Sequence, residues 1–252
     1  MAALTSLLLS ASCLGHTDNG SQIKLGAPPG ASLVLASYVA NQMGINSGAT
    51  PTLDIESFPD CCSANIQLAL SSLTIDAALM CPDAAEALVD RDDRYSIVGP
   101  CLANSDILVL RGDPGTAKKI GISQNHDYQK GIVNRILGPG LETSSMSYAS
   151  LSPAYERGDV DGVVIDIEGA LLLTGTRLNV GGNLGDVVTY ELVVRKDLPG
   201  LDKLKDAFAS AATELSNPTN LQAAITSYGQ PQANDGEAEQ WLQYNVHFLI
   251  PV

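Results

Sequence analysis

A chain of 252 residues is long enough for one large domain or two lobes of ordinary size. Its 45% apolar content can fill buried cores, yet no segment reaches the ~18 uninterrupted apolar residues that span a bilayer. The formal charge of −14 argues against a nucleic-acid partner, whose phosphates call for a basic stripe.

In chain order, Leu4 to Ala11 is an apolar run leading into Ser12-Cys13, and Gly15 to Gln22 is polar, as a tether is. A short apolar run ending in small residues is the outline of an export signal. The small residues ahead of Cys13 resemble a bacterial lipoprotein cleavage site, at which the cysteine becomes the lipid-bearing first residue. A Lys or Arg in front, and a Leu three residues before the cysteine, are missing. The expectation is a leader and tether over residues 1–21 with lipidation at Cys13; the alternative is a frayed N-terminus.

Ile23 to Ala27 reads as a strand and Pro28-Pro29-Gly30 as a sharp corner. Leu33, Val34, Ala36, Val39 and Ala40 then keep helical spacing over 31–43. Thr52 to Phe58 alternates as a strand, Pro59 to Ser63 turns, and Ala64 to Leu70 is helical. Strand Ile75 to Met80 follows. Pro82-Asp83 launches a helix, since proline and an acid suit a helix N-terminus. Tyr95 to Val98 and Ile107 to Leu110 read as strands around a Gly99-Pro100-Cys101 turn.

The second half repeats this grammar: strand 119–123, polar corner 124–127, helix 128–137 and strand 144–148. Ser152-Pro153 opens a helix. Val160 to Ile165 is a β-branched run typical of a parallel strand covered on both faces, and another helix follows Glu168. Gly181 to Gly185 reads as a flexible turn and Val187 to Val194 as a strand, before helices 201–215, 220–228 and 237–244.

Two stretches share one plan. Leu70–Leu88 (LSSLTIDAALMCPDAAEAL) and Tyr155–Leu173 (YERGDVDGVVIDIEGALLL) lie 85 residues apart and pair Asp76 with Asp161, Cys81 with Asp166 and Asp83 with Glu168. Strand–helix alternation in two similar halves argues a two-lobed α/β fold, each lobe a largely parallel sheet flanked by helices, with two hinge crossings. Lobe one is expected over 22–108 with 188–252 and lobe two over 109–187, joined at 107–111 and 187–194.

A family likeness rests on the corner GAPPGAS, the unit TIDAALMCPDAAEAL, the hinge-like GPCLANSDILVLRG, and ERGDVDGVVIDIEGALLL followed by ELVVRKDL. Over nearly all of 23–228, the order of elements resembles the type 2 periplasmic solute-binding proteins of bacterial ABC importers. It is most similar to the branch that holds nitrate, sulfonate and thiamine-precursor binders. The resemblance implies a small solute gripped between lobes that close by a hinge motion. It also implies an exported protein of the periplasm or cell surface, held to the membrane by lipid only, monomeric and without cofactor, whose partners are a permease and its ATPase. Strand carboxyl ends facing a crevice between domains are a preferred ligand site on physical grounds as well.

The corners expected to face that crevice supply the candidate ligand-binding residues: Pro28, Ser32, Asp60, Cys61, Cys81, Asp83, Asn104, Ser105, Asn125, His126, Asp166 and Glu168. Apart from Cys13, the cysteines Cys61, Cys62, Cys81 and Cys101 all stand at corners of one lobe. In an exported protein that even set favours two disulfides, with Cys61 and Cys62 each reaching Cys81 or Cys101. Buried thiols, or a thiolate site for a soft metal, are the alternatives.

Asp60, Asp83, Asp106, Asp127, Asp166 and Glu168 lie in or beside the corners, and the nearest bases are Arg111 and Lys130. An oxyanion site usually supplies an Arg fork or a helix N-terminus, so this bias points to a neutral or cationic solute, an amine or amine-bearing heterocycle. Quaternary ammonium calls for two or more aromatic rings, and only Phe58 and Tyr128 fall near the corners, so betaine and choline are disfavoured. No phosphate-binding loop, nucleophile elbow or H-E-x-x-H stands in the sequence. A Cys81–His126 nucleophile and base, a fold-sharing enzyme of cofactor-precursor metabolism and a detached sensor domain remain the rival readings to a non-catalytic receptor.

Overall fold

The computed structural model describes residues 22–46, 52–60, 64–231 and 234–252. The leader, Cys13, Cys61 and Cys62 lie outside the described residues.

The first half runs β1 (Ile23–Ala27), α1 (Ala31–Asn46), β2 (Leu53–Ser57), α2 (Ala64–Ser71), β3 (Ala77–Met80), α3 (Pro82–Val89) and β4 (Tyr95–Ala103). Next come β5 (Asp106–Leu110), β6 (Lys119–Ser123), α4 (Asp127–Leu137), β7 (Glu142–Met146), α5 (Tyr148–Arg157), β8 (Gly162–Asp166), α6 (Ile167–Leu172), β9 (Thr176–Leu178) and α7 (Val180–Leu184). The chain returns through β10 (Val188–Arg195) and ends in α8 (Leu201–Leu215), α9 (Pro218–Tyr228), α10 (Glu237–Gln243) and β11 (His247–Phe248).

These elements make two lobes, each built on one sheet. The first sheet has the order β11-β4-β10-β3-β1-β2 and the second β7-β6-β8-β5-β9. Each is parallel at one end (β2, β1 and β3; β7, β6 and β8) and antiparallel where the crossing strands β4, β10 and β5 lie. Every residue of β3, β5 and β8 is buried. Alternate side chains of β5 therefore feed two cores: Ile107 and Val109 join the large cluster, Leu108 and Leu110 the smaller one with Ile120, Ile122 and Val164.

The repeat in the sequence is a repeat in space. Asp76 and Asp161 stand just ahead of β3 and β8. Asp76 Oδ2 accepts from Lys24 N at 3.0 Å, and Asp161 Oδ2 accepts from Lys118 N and Lys119 N at 2.8 and 3.0 Å. Each acid's own N–H donates back to the same neighbour, Asp76 to Lys24 O and Asp161 to Lys119 O. Each acid thus pins the start of its strand to the neighbouring parallel strand. The backbone hydrogen bonds hold the Asp161 carboxyl below the usual carboxylate range. Further on, Cys81 and Asp166 are the N-cap residues of α3 and α6, in the register the repeat gives them.

Several expectations are corrected. The first crossing lies at Asn104–Ser105, between β4 and β5, and not at 107–111, which falls almost wholly in a buried strand of the second sheet. Gly99-Pro100-Cys101 does not turn. It continues β4 through register shifts against β10, and a Cβ at Gly99 would come within 2.9 Å of the Val252 backbone. Pro153 lies inside α5, whose N-cap position is Ser147, five residues before Ser152, and residues 180–184 form a short helix capped by Asn179.

Asp161→Ala removes two charge-assisted bonds to backbone amides and is expected to lower the unfolding free energy by about 1–3 kcal/mol. Asp161→Asn keeps an acceptor and should cost less. Urea denaturation measures both, and an unchanged midpoint in the alanine variant would refute the strand-pinning role.

Candidate functional site

Between the lobes, the carboxyl ends of the parallel strands enclose a cavity. Lobe one supplies Pro28, Pro29, Pro59 and Asp60; lobe two supplies Asp106, Ser123, His126, Gln129 and Tyr148; the returning strand β10 supplies Tyr190. Its empty volume, counted out to where it opens to solvent, is about 300 Å³. No Lys or Arg is among the described lining residues.

The lobes touch through carboxylates that they exchange. Asp166, at the end of β8 and 1% exposed, accepts from Ala31 N at the start of α1, at 3.1 and 3.3 Å to its two oxygens. It also caps its own helix by accepting from Glu168 N at 3.1 Å. Gly30, at φ +98°, makes the approach possible, since a Cβ there would lie 2.3 Å from Asp166 Oδ1. In the opposite direction, Asp83 in the first turn of α3 accepts from Tyr128 N in the first turn of α4, at 3.0 Å. Each contact places a carboxyl oxygen on an otherwise unpaired N–H at the start of a helix in the other lobe.

Asp106, buried on β5, accepts on Oδ2 from Tyr128 Oη at 2.5 Å and from Gln129 Nε2 at 2.6 Å. Burial pushes its carboxyl up and the two hydrogen bonds pull it down, with burial prevailing. Burial pushes Asp166 well above the carboxylate range, helped by the charges of Glu168 and Asp106. Glu168 accepts from Gln230 N at 3.3 Å, and burial, reinforced by Glu237, pushes it up to about 7. Burial, with the nearby Asp166, Asp106, Glu168 and Asp60, keeps the Tyr148 phenol protonated, so it presents a donor amid acids.

The sequence candidates divide accordingly. Pro28, Asp60 and His126 line the cavity; Asp83 and Asp166 hold the lobes together; Glu168 is buried beside the tail of α9. The Ser32 hydroxyl donates to Pro28 O at 2.8 Å, within its own corner, and Asn125 is exposed. Asn104 and Ser105 belong to the crossing. Asn104, at φ +60°, accepts from Val187 N and donates to Asn245 O, while the Ser105 hydroxyl donates to Thr189 Oγ1 at 3.0 Å.

Cys81 and Cys101 are buried, and Cys61 and Cys62, the partners expected of them, lie outside the described residues. Cys101 donates to Tyr190 O, and burial pushes its thiol far up, the opposite of what a thiolate ligand needs. No group of three or more His, Cys, Asp or Glu side chains suited to a metal occurs among the described residues.

Tyr148 and Tyr190 were missed. Their positions, at the start of α5 and within β10, lie outside the strand-end corners, and only the mutual placement of the lobes brings them in. Phe58 instead packs in the core. The cavity wall thus carries two tyrosines beyond the rings counted against quaternary ammonium ligands.

No protein-family model and no curated protein matches the chain. Solved structures do. The ligand-binding component of an ABC-type import system from Staphylococcus aureus, with zinc bound, has a TM-score of 0.73 at 14% identity, over 90% of this chain and 85% of that one. The alkanesulfonate-binding protein SsuA from Xanthomonas axonopodis pv. citri, bound to MOPS, scores 0.67 at 17% identity, over 90% and 86%. The methionine-binding protein MetQ scores 0.60 at 13% identity, over 82% and 95%. The chain has the fold of ABC-importer substrate-binding proteins, and at these identities the likeness speaks for the fold alone.

Glu168 gives the site a pH signature. Its folded value of about 7 lies above the ordinary 4.5, so its contribution to stability is complete below about pH 4.5 and is lost as the pH rises through 7. Glu168→Gln keeps the acceptor for Gln230 N–H and should remove that loss, gaining up to about 3 kcal/mol over wild type at pH 8 and little at pH 4. Urea unfolding across that range checks it; parallel pH profiles of the two proteins would contradict the assignment.

Proposed function

We propose that this chain, with its substrate-binding-protein fold, is the non-catalytic extracytoplasmic receptor of an ABC importer and captures a small neutral or cationic solute between its lobes. The observation that carries the solute class is the cavity wall: Asp60 and Asp106 with the rings of Tyr148, Tyr190 and His126, and no base among the described lining residues. Burying carboxylates without a counter-charge costs free energy, so a cation entering the cleft relieves a penalty that an anion deepens. Tyrosine faces add cation–π attraction for an ammonium group, and Ser123, Gln129 and the Tyr148 hydroxyl offer directional hydrogen bonds. An amine, an amine-bearing heterocycle or a small quaternary ammonium fits this chemistry.

On this reading lobe one comprises 22–103 with 188–252, lobe two begins at Asp106, and the hinge is the pair of crossings beside Asn104 and Val187. The solute binds with the lobes apart, and closure brings its positive group against the acids. The protein is exported, tethered through lipid on Cys13, and acts as a monomer that delivers its solute to a permease and, through it, an ATPase.

A thermal-shift screen over primary and quaternary amines, pyrimidines, amino acids, divalent metals and oxyanions tests the proposal. A solute at a hundred times its dissociation constant should add ~2.7 kcal/mol of stability. Selective stabilisation by an oxyanion overturns the solute class, and chemical turnover of a bound compound overturns the receptor.

A further inference from the structure

One carboxyl in the cavity wall has half of its hydrogen-bonding capacity still open. Asp106 is 4% exposed and stands at the start of β5, where the chain enters lobe two. Its Oδ2 accepts from Tyr128 Oη at 2.5 Å and from Gln129 Nε2 at 2.6 Å. The Gln129 amide cannot be turned round, because its Oε1 accepts from Ser123 N at 2.8 Å. Two donors therefore occupy both lone pairs of Asp106 Oδ2. Oδ1 takes no hydrogen bond among the described residues, and it is not one of their sealed, unpaired atoms. It opens on the cavity that Asp106 lines. A carboxyl this deeply buried leaves one oxygen unmatched at a cost, which a proton or a ligand on that oxygen removes.

We propose that Asp106 is the specificity-determining residue of the cleft: its Oδ1 accepts an N–H of a protonated amine, which competes with a proton for that atom. The inference rests on the receptor reading and narrows its solute class, from cations in general to ammonium groups that still carry hydrogen. With Oδ2 filled, a proton taken up by Asp106 goes to Oδ1, the atom that the amine needs. Capture by the protonated acid therefore forms one N–H···O bond and sends one proton from Oδ1 to solvent. Burial pushes the Asp106 carboxyl up and prevails over the bonds from Tyr128 and Gln129, so it takes its proton at a higher pH than an ordinary carboxylate. A quaternary ammonium has no N–H to give. It keeps the attraction of the tyrosine faces and forgoes the charge-assisted bond. The titratable groups around Asp106 are His126 and Tyr128 at the α4 corner, Tyr148 on α5, Asp166 and Glu168 after β8, Tyr190 on β10, and Asp60 and Cys81 from lobe one. Of these, His126 alone can bring positive charge.

The test titrates the full-length chain with isopropylammonium and tetramethylammonium chloride by calorimetry, from about pH 4 to 8. Near pH 8, wild type should bind isopropylammonium at least about tenfold more tightly than tetramethylammonium. As the pH falls and Asp106 takes its proton, the isopropylammonium affinity should drop by up to about tenfold per pH unit. Binding there should release a proton, which buffers of different ionisation enthalpy report. In Asp106→Asn the amide oxygen must face Tyr128 and Gln129, which turns the NH2 group toward the cavity. That variant should lose both the preference and the proton release. His126→Gln, whatever its affinity, should keep the proton release, which separates Asp106 from a charging imidazole. Tyr128→Phe removes a bond that holds the Asp106 carboxyl down, so it should move the acid fall to higher pH; it serves if the asparagine variant folds poorly. Wild type binding the two cations equally, or a folded Asp106→Asn that retains the preference, overturns the inference and leaves a cation receptor standing. Wild type binding neither cation at any pH overturns the solute class, and the inference with it.

Discussion

The arrangement of the two lobes depends on a pair of carboxylates traded across the cleft. Asp166 sits on the first amide of α1 and Asp83 on that of Tyr128 in α4. Each joins a carboxyl oxygen to the unpaired N–H of a helix end in the other lobe. Because the α3 and α6 corners are related by the internal repeat, one geometric solution serves twice. The lobes meet as near-equivalents, each supplying both a donor end and an acceptor.

That solution leaves a residue of unbalanced charge. Asp106 has Tyr128 and Gln129, and Asp166 has two backbone amides, but Glu168 is met by a single long bond from Gln230 N. Tyr148 stands among these acids with its phenol held protonated. The cleft thus separates two tasks: acids that bind the lobes to one another, and acids whose field is left for whatever enters. On the proposed reading, closing the lobes desolvates both kinds at once and so ties closure to the arrival of positive charge.

Much of this was readable in the residues. The repeat register put Asp76 opposite Asp161 and Cys81 opposite Asp166, and both pairs occupy equivalent places because strand-start pinning and helix capping are local tasks set by neighbours in sequence. What escaped was non-local. Asn104 looked like a polar corner residue, but it is the tie between the crossings, with partners at Val187 and Asn245. Gly99-Pro100 looked like a turn because nothing nearby announced the returning β10 that keeps β4 extended. Asp83 and Asp166 stand at the helix starts that the repeat gave them, while their partners, helix ends in the opposite lobe, were invisible to any window of sequence. Tyr148 and Tyr190 were missed for the same reason.

The position of β10 also bears on how the molecule is made. It lies between β3 and β4 in the first sheet, yet it is reached only after the whole second sheet has been traversed. The N-terminal half can pair β1 with β2 and β3, but β4 has no neighbour to join until residues 188–195 come back and wedge between them. Completion of the first lobe is therefore a late, long-loop event, slow by its topology. In a chain read as exported, that lateness has a use: a growing polypeptide whose central sheet cannot close on itself stays open, and so threadable, until its last third has emerged.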